Sequence, residues 1–333
     1  MKKFFKLSIA ASTALMCLIS SVAAQENKKL GQSGLKFLSV TSDAKAGAMG
    51  GAMTSLEMQS ASLFFNPAGM ANLNTFMDAS LSLNKWIADI KHLNVGLALR
   101  PADGAYGVFG FSLQAVDYGD IMGTVVANTD KGFEDTGNLD ASGFAVGVGY
   151  ANALSDRFSV GGQVKWVRQN LGKNILPGDG GTTFISKNEV STLAFDFGTL
   201  FKTGVKSLVF GMSVRNFSQE IEFEEESFQL PLHFSLGISM NLMDLIRPSG
   251  SKQSALFSID ATHPRDHPEQ LIFALEYKPV DVLSLRGGYI TNNDEDGPTV
   301  GVGFSKFGFQ LDYAYAPFGV FNDVQRVTAR FSM

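Results

Sequence analysis

The chain has 333 residues, of which 45% are apolar, with 28 Phe, 35 Gly, a single Cys and a formal net charge of −5. A chain of that length without disulfides needs a large core or a closed barrel, the lack of a basic stripe argues against a nucleic-acid binder, and one cysteine excludes a disulfide scaffold or a cysteine-type zinc site. No stretch after residue 24 holds about 18 continuous apolar residues, so no membrane-spanning helix is expected.

Residues 1–24 read as a secretory leader. Met1–Lys6 is basic, Leu7–Val22 is apolar, and Val22-Ala23-Ala24 offers a small-residue cleavage site. Cleavage near Ala24 makes Gln25 the first mature residue. Cys17 departs with the leader, and Met16 stands where a lipoprotein signal wants a small residue. Three lysines leave and no acid does, so the mature charge is 24 Lys and Arg against 32 acids, or −8.

Gln25–Gln32 is a polar stretch. Residues 34–72 show no period of two: Gly34–Val40, the small-residue run Ala44–Met53 and then Asn66-Pro67-Ala68-Gly69 read as short helical or irregular pieces. Pro67 cannot donate a hydrogen bond and pushes Asn66 out of the helical region, so this motif starts a tight turn. A ligand or gating role for Met49, Gly50, Gly51, Asn66, Pro67, Ala68 and Gly69 is the alternative to a purely structural one.

From residue 75 the pattern changes. Met77, Ala79, Leu81 and Leu83 alternate with Asp78, Ser80, Ser82 and Asn84. The cleanest case is Pro231–Met243, where Leu232, Phe234, Leu236, Ile238, Met240 and Leu242 oppose His233, Ser235, Gly237, Ser239 and Asn241. Such a period means a strand with two unlike faces. About fourteen of these segments follow one another down to Gln325–Phe331. Behind a secretory leader, they predict an all-β fold, a transmembrane antiparallel β-barrel of about fourteen strands.

Loop lengths support the barrel. One set of connections is mostly short: 101–104, 152–156, 203–204, 244–252, 279–282 and 305–306. The alternating set is mostly long and polar: 118–140, 170–189, 218–230, 263–269, 292–298 and 317–323, with a short exception near Trp86–Asp89. Short periplasmic turns and long external loops are the habit of outer-membrane barrels. A soluble sandwich could bury the apolar faces between two sheets, but it needs no such alternation. The expected lumen carries Lys165, Asp196, Arg215, Asp260, Glu276, Arg286, Asp312 and Arg326. Its mixed signs point to internal ion pairs rather than a selective ion path.

Catalytic and metal motifs are scarce. No Gly-x-Ser-x-Gly elbow is present. Gly178-Asp179-Gly180-Gly181 lacks the Gly-Lys-Ser/Thr of a phosphate loop. His263 and His267 lie four apart, but Pro264 and Pro268 forbid the helix that would align them. The expectation is no enzyme, no metal and no cofactor. Glu222, Glu224, Glu225 and Glu226 form an acidic external run, suited to solvent or to cation-bridged lipopolysaccharide.

Two blocks resemble the PorV/PorQ family of FadL-type outer-membrane proteins. The first comprises Phe37-Leu38, Asp43-Ala44-Lys45-Ala46, Met49-Gly50-Gly51-Ala52 and Phe65-Asn66-Pro67-Ala68-Gly69. The second is Asp312–Gly319. Lys45 and Phe65 stand where that family usually has Arg and Trp, and Phe331 is followed by Ser332-Met333 rather than ending the chain. The resemblance implies an outer-membrane barrel, residues 73–333, with residues 25–72 as a hatch inside it. It also implies a type IX secretion role, with the C-terminal domains of secreted cargo, other secretion components and outer-membrane lipids and lipopolysaccharide as partners, and no nucleic acid. FadL-like transport of hydrophobic small molecules is the alternative.

Overall fold

Strands that are apolar on one face and polar on the other can sit in a bilayer only if the sheet closes, because lipid offers nothing to an open edge. In a computed structural model of the chain, described for residues 33–177, 183–223, 226–246, 253–293, 297–319, 321 and 323–333, the sheet closes. β1 (Met77–Lys85), β2 (Lys91–Leu99) and β3 (Val108–Asp117) begin the wall. A separate hairpin of β4 (Ile121–Val126) and β5 (Phe133–Leu139) follows. β6 (Ser142–Ala153), β7 (Phe158–Pro177), β8 (Thr183–Lys202) and β9 (Val209–Phe217) resume the wall, and β10 (Ile221–Phe223) pairs with β11 (Glu226–Phe228) outside it. β12 (His233–Asn241), β13 (Ser254–Pro264), β14 (Gln270–Val280), β15 (Leu283–Ile290), β16 (Thr299–Lys306), β17 (Phe309–Ala316) and β18 (Val324–Ser332) complete it, and β18 pairs antiparallel with β1. Fourteen strands therefore form the barrel, as the alternation predicts. The leader, the Gly178–Gly181 loop and Glu224 and Glu225 lie outside the described residues.

The faces divide as read. Along β1, Leu81 and Leu83 are exposed while Ser80, Ser82 and Asn84 are buried; along β12, Leu236 is 48% exposed and Ser235 only 2%. The outward face is thus apolar and the inward face polar, the arrangement lipid demands.

The long connections differ from plain loops. β7 and β8 each run 20 residues, so much of 170–189 continues the ladder, with register from Lys173↔Lys187 to Pro177↔Thr183. The stretch 118–140 holds β4 and β5, and 218–230 holds β10 and β11. Beyond the bilayer a ladder needs no apolar face, so pairing persists where the sequence alternation stops.

The apolar core lies between residues 35–73 and the inward face of the wall. One cluster joins Met49, Met53, Met58, Phe64 and Phe65 to Ile272 and Ala274. A second sets Leu35, Phe37 and Leu38 against Val116, Ala145, Val167 and Ala194. A third packs Leu63, Met70 and Leu73 on Ala98, Val108 and Ala151.

Candidate functional site

The N-terminal segment forms short helical turns at Lys36–Ser39, Ala44–Ala48, Gln59–Phe64 and Pro67–Met70. The Ala44–Ala48 helix is capped at both ends. The Asp43 carboxylate accepts from the Ala46 N–H at 2.9 Å. At the other end Gly51 N donates to Ala46 O at 2.8 Å and Gly50 N to Gly47 O at 3.3 Å, the paired closure of a Schellman motif. That closure needs a left-handed residue, which Gly50 supplies with φ +61°, and Gly51 follows at φ +92°. Met49 just before them is fully buried.

Asn66 is extended (φ −142°, ψ 103°), as its position before Pro67 requires. Its Oδ1 accepts from Ala68 N at 3.1 Å, capping the Pro67–Met70 turn. Its amide nitrogen donates to Thr54 O at 2.6 Å and to Thr199 O of β8 at 3.0 Å. One side chain thereby ties the turn to the rest of the segment and to the wall.

Irregular backbone inside a barrel must find partners for its polar groups. Here the wall supplies them. Asp260 Oδ2 accepts from Thr54 N at 2.9 Å, Asp78 Oδ1 from Ser60 N at 2.9 Å, and Thr328 Oγ1 from Ala44 N at 2.7 Å. In the other direction Arg326 Nε donates to Thr41 O at 2.7 Å, Thr299 to Ala48 O at 3.0 Å and Ser258 to Ala52 O at 3.1 Å. Arg215 also donates to Phe64 O. Two ion pairs add to these: Asp43 with Arg330 at 3.4 Å, and Lys45 with Glu276 at 3.6 Å.

At several points where the segment's backbone comes closest to the wall backbone, the wall carries glycine. A Cβ at Gly161 of β7 would stand 2.5 Å from Ala68 N, and one at Gly288 of β15 would stand 2.5 Å from Gly50 N. Side chains at Gly198 and Gly211 would strike Asn66 and the Thr54 carbonyl. Both sequence motifs therefore sit on glycine seats, Gly50 against Gly288 and Asn66-Pro67-Ala68 against Gly161 and Gly198.

The remaining inward charges pair with one another. Lys165 meets Asp196 at 2.7 Å and Asn216 Oδ1 at 2.6 Å, while Asp196 also accepts from Asn216 N at 2.7 Å. Asn216 has φ +59°, and the β8–β9 register shifts there. Arg286 bridges Glu276 and Asp312, each at 2.6 Å. The ion pairing expected of the lumen is thus present at Lys165, Asp196, Glu276, Arg286 and Asp312. Asp43 lies in the motif block and Asp78 on the polar face of the first alternating segment, whereas Thr328, Arg330 and the glycine seats are not singled out from sequence. Thr328 and Arg330 follow from the inward register of β18.

At the end bearing the long loops a cavity of about 360 Å³ remains. Gly47, Gly50 and Gly51 line it from the N-terminal segment. Arg215, His233, Ile272, Ile290 and Arg326 line it from the wall, with Trp86, Asp266 and Phe318 from the connections. Trp86 packs edge-on against Phe318 at 4.9 Å between centroids and under Arg326 at 5.6 Å. Lys36 pairs with Asp266, and burial pushes its ammonium pKa below the ordinary lysine value. His263 and His267 do not converge on a metal geometry; their Nδ1 atoms meet Glu269 at 3.1 Å and Asp266 at 2.9 Å. Among the described residues no group of three or more His, Cys, Asp or Glu is placed to hold a metal ion.

A family model described as "Type IX secretion system membrane protein PorP/SprF" matches residues 122–316. No curated protein matches the sequence. Among solved structures, the chain is similar to the toluene transporter TbuX of Ralstonia pickettii (TM-score 0.60, 14% identity, 87% of this chain and 98% of that one). It is also similar to the toluene transporter TodX of Pseudomonas putida (TM-score 0.53, 14% identity, 86% and 96%) and to a FadL homologue of Pseudomonas aeruginosa (TM-score 0.53, 12% identity, 88% and 98%). At these identities the likeness is one of fold. The matched family lies in the type IX secretion class that the motifs imply, under the PorP/SprF rather than the PorV/PorQ description.

Proposed function

The chain belongs to the PorP/SprF family of type IX secretion system membrane proteins, and from that premise we propose that it is a closed docking barrel. Its external end receives secreted cargo, through the cargo's C-terminal domain, and hands it to other secretion components. The barrel and the family put the protein in the Gram-negative outer membrane. In this reading residues 25–72 are a hatch and residues 73–333 the barrel, and the Met49-Gly50-Gly51 and Asn66-Pro67-Ala68-Gly69 motifs seat the hatch on the wall.

The observation that supports the proposal is how the described N-terminal segment is tied to the inward face of the wall. Backbone hydrogen bonds, ion pairs and glycine seats hold the N-terminal segment all around the wall. A path wide enough for a solute would require breaking many of these contacts, whereas docking at the loops requires none. The supporting experiment is affinity isolation of the protein from cross-linked outer membranes. Other type IX components and cargo co-purify if it docks; isolation without any of them sinks the proposal.

The second reading, passage of hydrophobic small molecules, draws on the apolar part of the external cavity, namely Phe65, Ile272, Ile290 and Phe318. It predicts slower uptake of such molecules by cells lacking the protein.

A further inference from the structure

The external cavity has a sign opposite to its surroundings. Arg215, Arg326 and Lys36 line it, and Asp266 is the one acid among its described lining residues. Asp266 is already engaged, accepting from the Ser33 hydroxyl at 2.6 Å and pairing with Lys36 and His267. Arg215 spends one guanidinium nitrogen on the Phe64 carbonyl; its Nε is buried without a hydrogen-bond partner, and no carboxylate lies within ion-pair distance of it among the described residues. His233 stands directly across the β9–β12 register from Arg215. Part of the cavity's lining is apolar, with Phe65, Ile272 and Ile290. The site thus offers an anion hole beside a greasy recess.

The described connections around it are strongly acidic. Within 86–90, 118–141, 170–173, 188–189, 218–222, 226–232, 265–269, 291–293, 297–298, 317–319, 321 and 323 they hold 13 Asp and Glu against 3 Lys and Arg. A small free anion approaching the cavity must cross that field and is repelled. A chain that is basic along its length and ends in a carboxylate is attracted at both stages, its cations by the acidic rim and its terminus by the arginines.

We propose that this pit captures the free C-terminal carboxylate of a polypeptide whose preceding residues are basic, with Arg215 as the anion-binding group and the apolar recess taking the last side chains. This rests on the docking reading and names the chemistry by which a polypeptide would be held.

The test uses the purified full chain in detergent and fluorescence anisotropy. The probe is a fluorescein-labelled ten-residue peptide with four lysines followed by three C-terminal valines. The free acid should bind at least tenfold more tightly than the same peptide with a C-terminal amide. Replacing its lysines by serine should weaken binding and flatten its salt dependence. Arg215→Gln should bring the acid down to the level of the amide and leave the amide unchanged. Equal binding of acid and amide overturns the pit, and because that comparison uses the unaltered chain it decides even if Arg215→Gln misfolds. Displacement of the peptide by octanoate at equal concentration also overturns it, in favour of a site for small amphiphiles. If the pit fails while secretion components still co-purify, docking survives by another surface; if both fail, so does the docking reading.

Discussion

Gly161→Val tests whether the N-terminal segment is held by shape. Gly161 points inward from β7, and a Cβ there would lie 2.5 Å from Ala68 N and from the Pro67 carbonyl carbon. Ordinary contact begins at 3.4 Å, so the turn must retreat by about 0.9 Å. It has little freedom to do so, because Asn66 is tied to Thr199 at 3.0 Å and to Thr54 at 2.6 Å. Overfilling a packed interior costs about 1–3 kcal/mol, or about 5- to 140-fold in the balance between seated and unseated segment. Gly162 is the control. It points outward, and the nearest atom to a Cβ there is the Asp196 carbonyl oxygen at an ordinary 3.4 Å. The assay is single-molecule conductance in a planar bilayer, with protease cleavage of the N-terminal segment as a parallel readout. The unaltered chain and Gly162→Val should be almost silent and resistant, whereas Gly161→Val should show frequent openings and faster cleavage. If Gly161→Val behaves like Gly162→Val in both assays, the glycine-seat argument is wrong. Steady porin-like conductance by the unaltered chain would refute the hatch itself.

Other outcomes follow from the same geometry. Deleting residues 25–72 behind an intact leader should leave a barrel that still assembles, since its ladder closes from β1 to β18 without them, with open-pore conductance and weak ion selectivity; failure to reach the outer membrane would show instead that the segment is needed for folding. Arg286→Met takes the cation from buried Asp312, while Glu276 keeps Lys45 and Lys278, and should cost about 3–5 kcal/mol, read as a lower temperature at which the compact band on a detergent gel becomes the unfolded one; adding Asp312→Asn should restore part of it. Leu236→Arg puts a charge on the lipid face, at about 2–4 kcal/mol near the bilayer midplane, and should lower folded yield far more than Leu236→Met; equal yields would mean that β12 faces the other way. Asn66→Ala strands the Thr54 and Thr199 carbonyls and should lower stability by about 1–3 kcal/mol, visible in the same gel shift.

Much of the barrel could be read from the chain alone because lipid imposes a one-dimensional rule. Every residue that meets it must be apolar and its neighbours need not be, so Leu81 and Leu83 stand out from Ser80, Ser82 and Asn84 with no knowledge of which strand lies beside them. The rule ends at the bilayer surface, which is why the continuation of β7 and β8 through 170–177 and 183–189 reads as loop. The turn at Asn66-Pro67 was also legible, since proline restricts its own neighbour. The Ala44–Ala48 helix was not distinguishable from an irregular stretch, because five residues are too few to show a period, although Gly50 and Gly51 end it. What the tertiary structure decided is who meets whom. Arg286 belongs with Glu276 and Asp312, and Lys165 with Asp196, through the register of neighbouring strands; Asp43 meets Arg330 only because the N-terminal segment folds back on the last strand. Gly161, Gly198 and Gly288 look like any other small residue of an alternating strand. Their purpose lies in the backbone of Asn66-Pro67-Ala68 and Gly50 arriving against them, and closeness between segments about a hundred or more residues apart is set by packing, which no local pattern records.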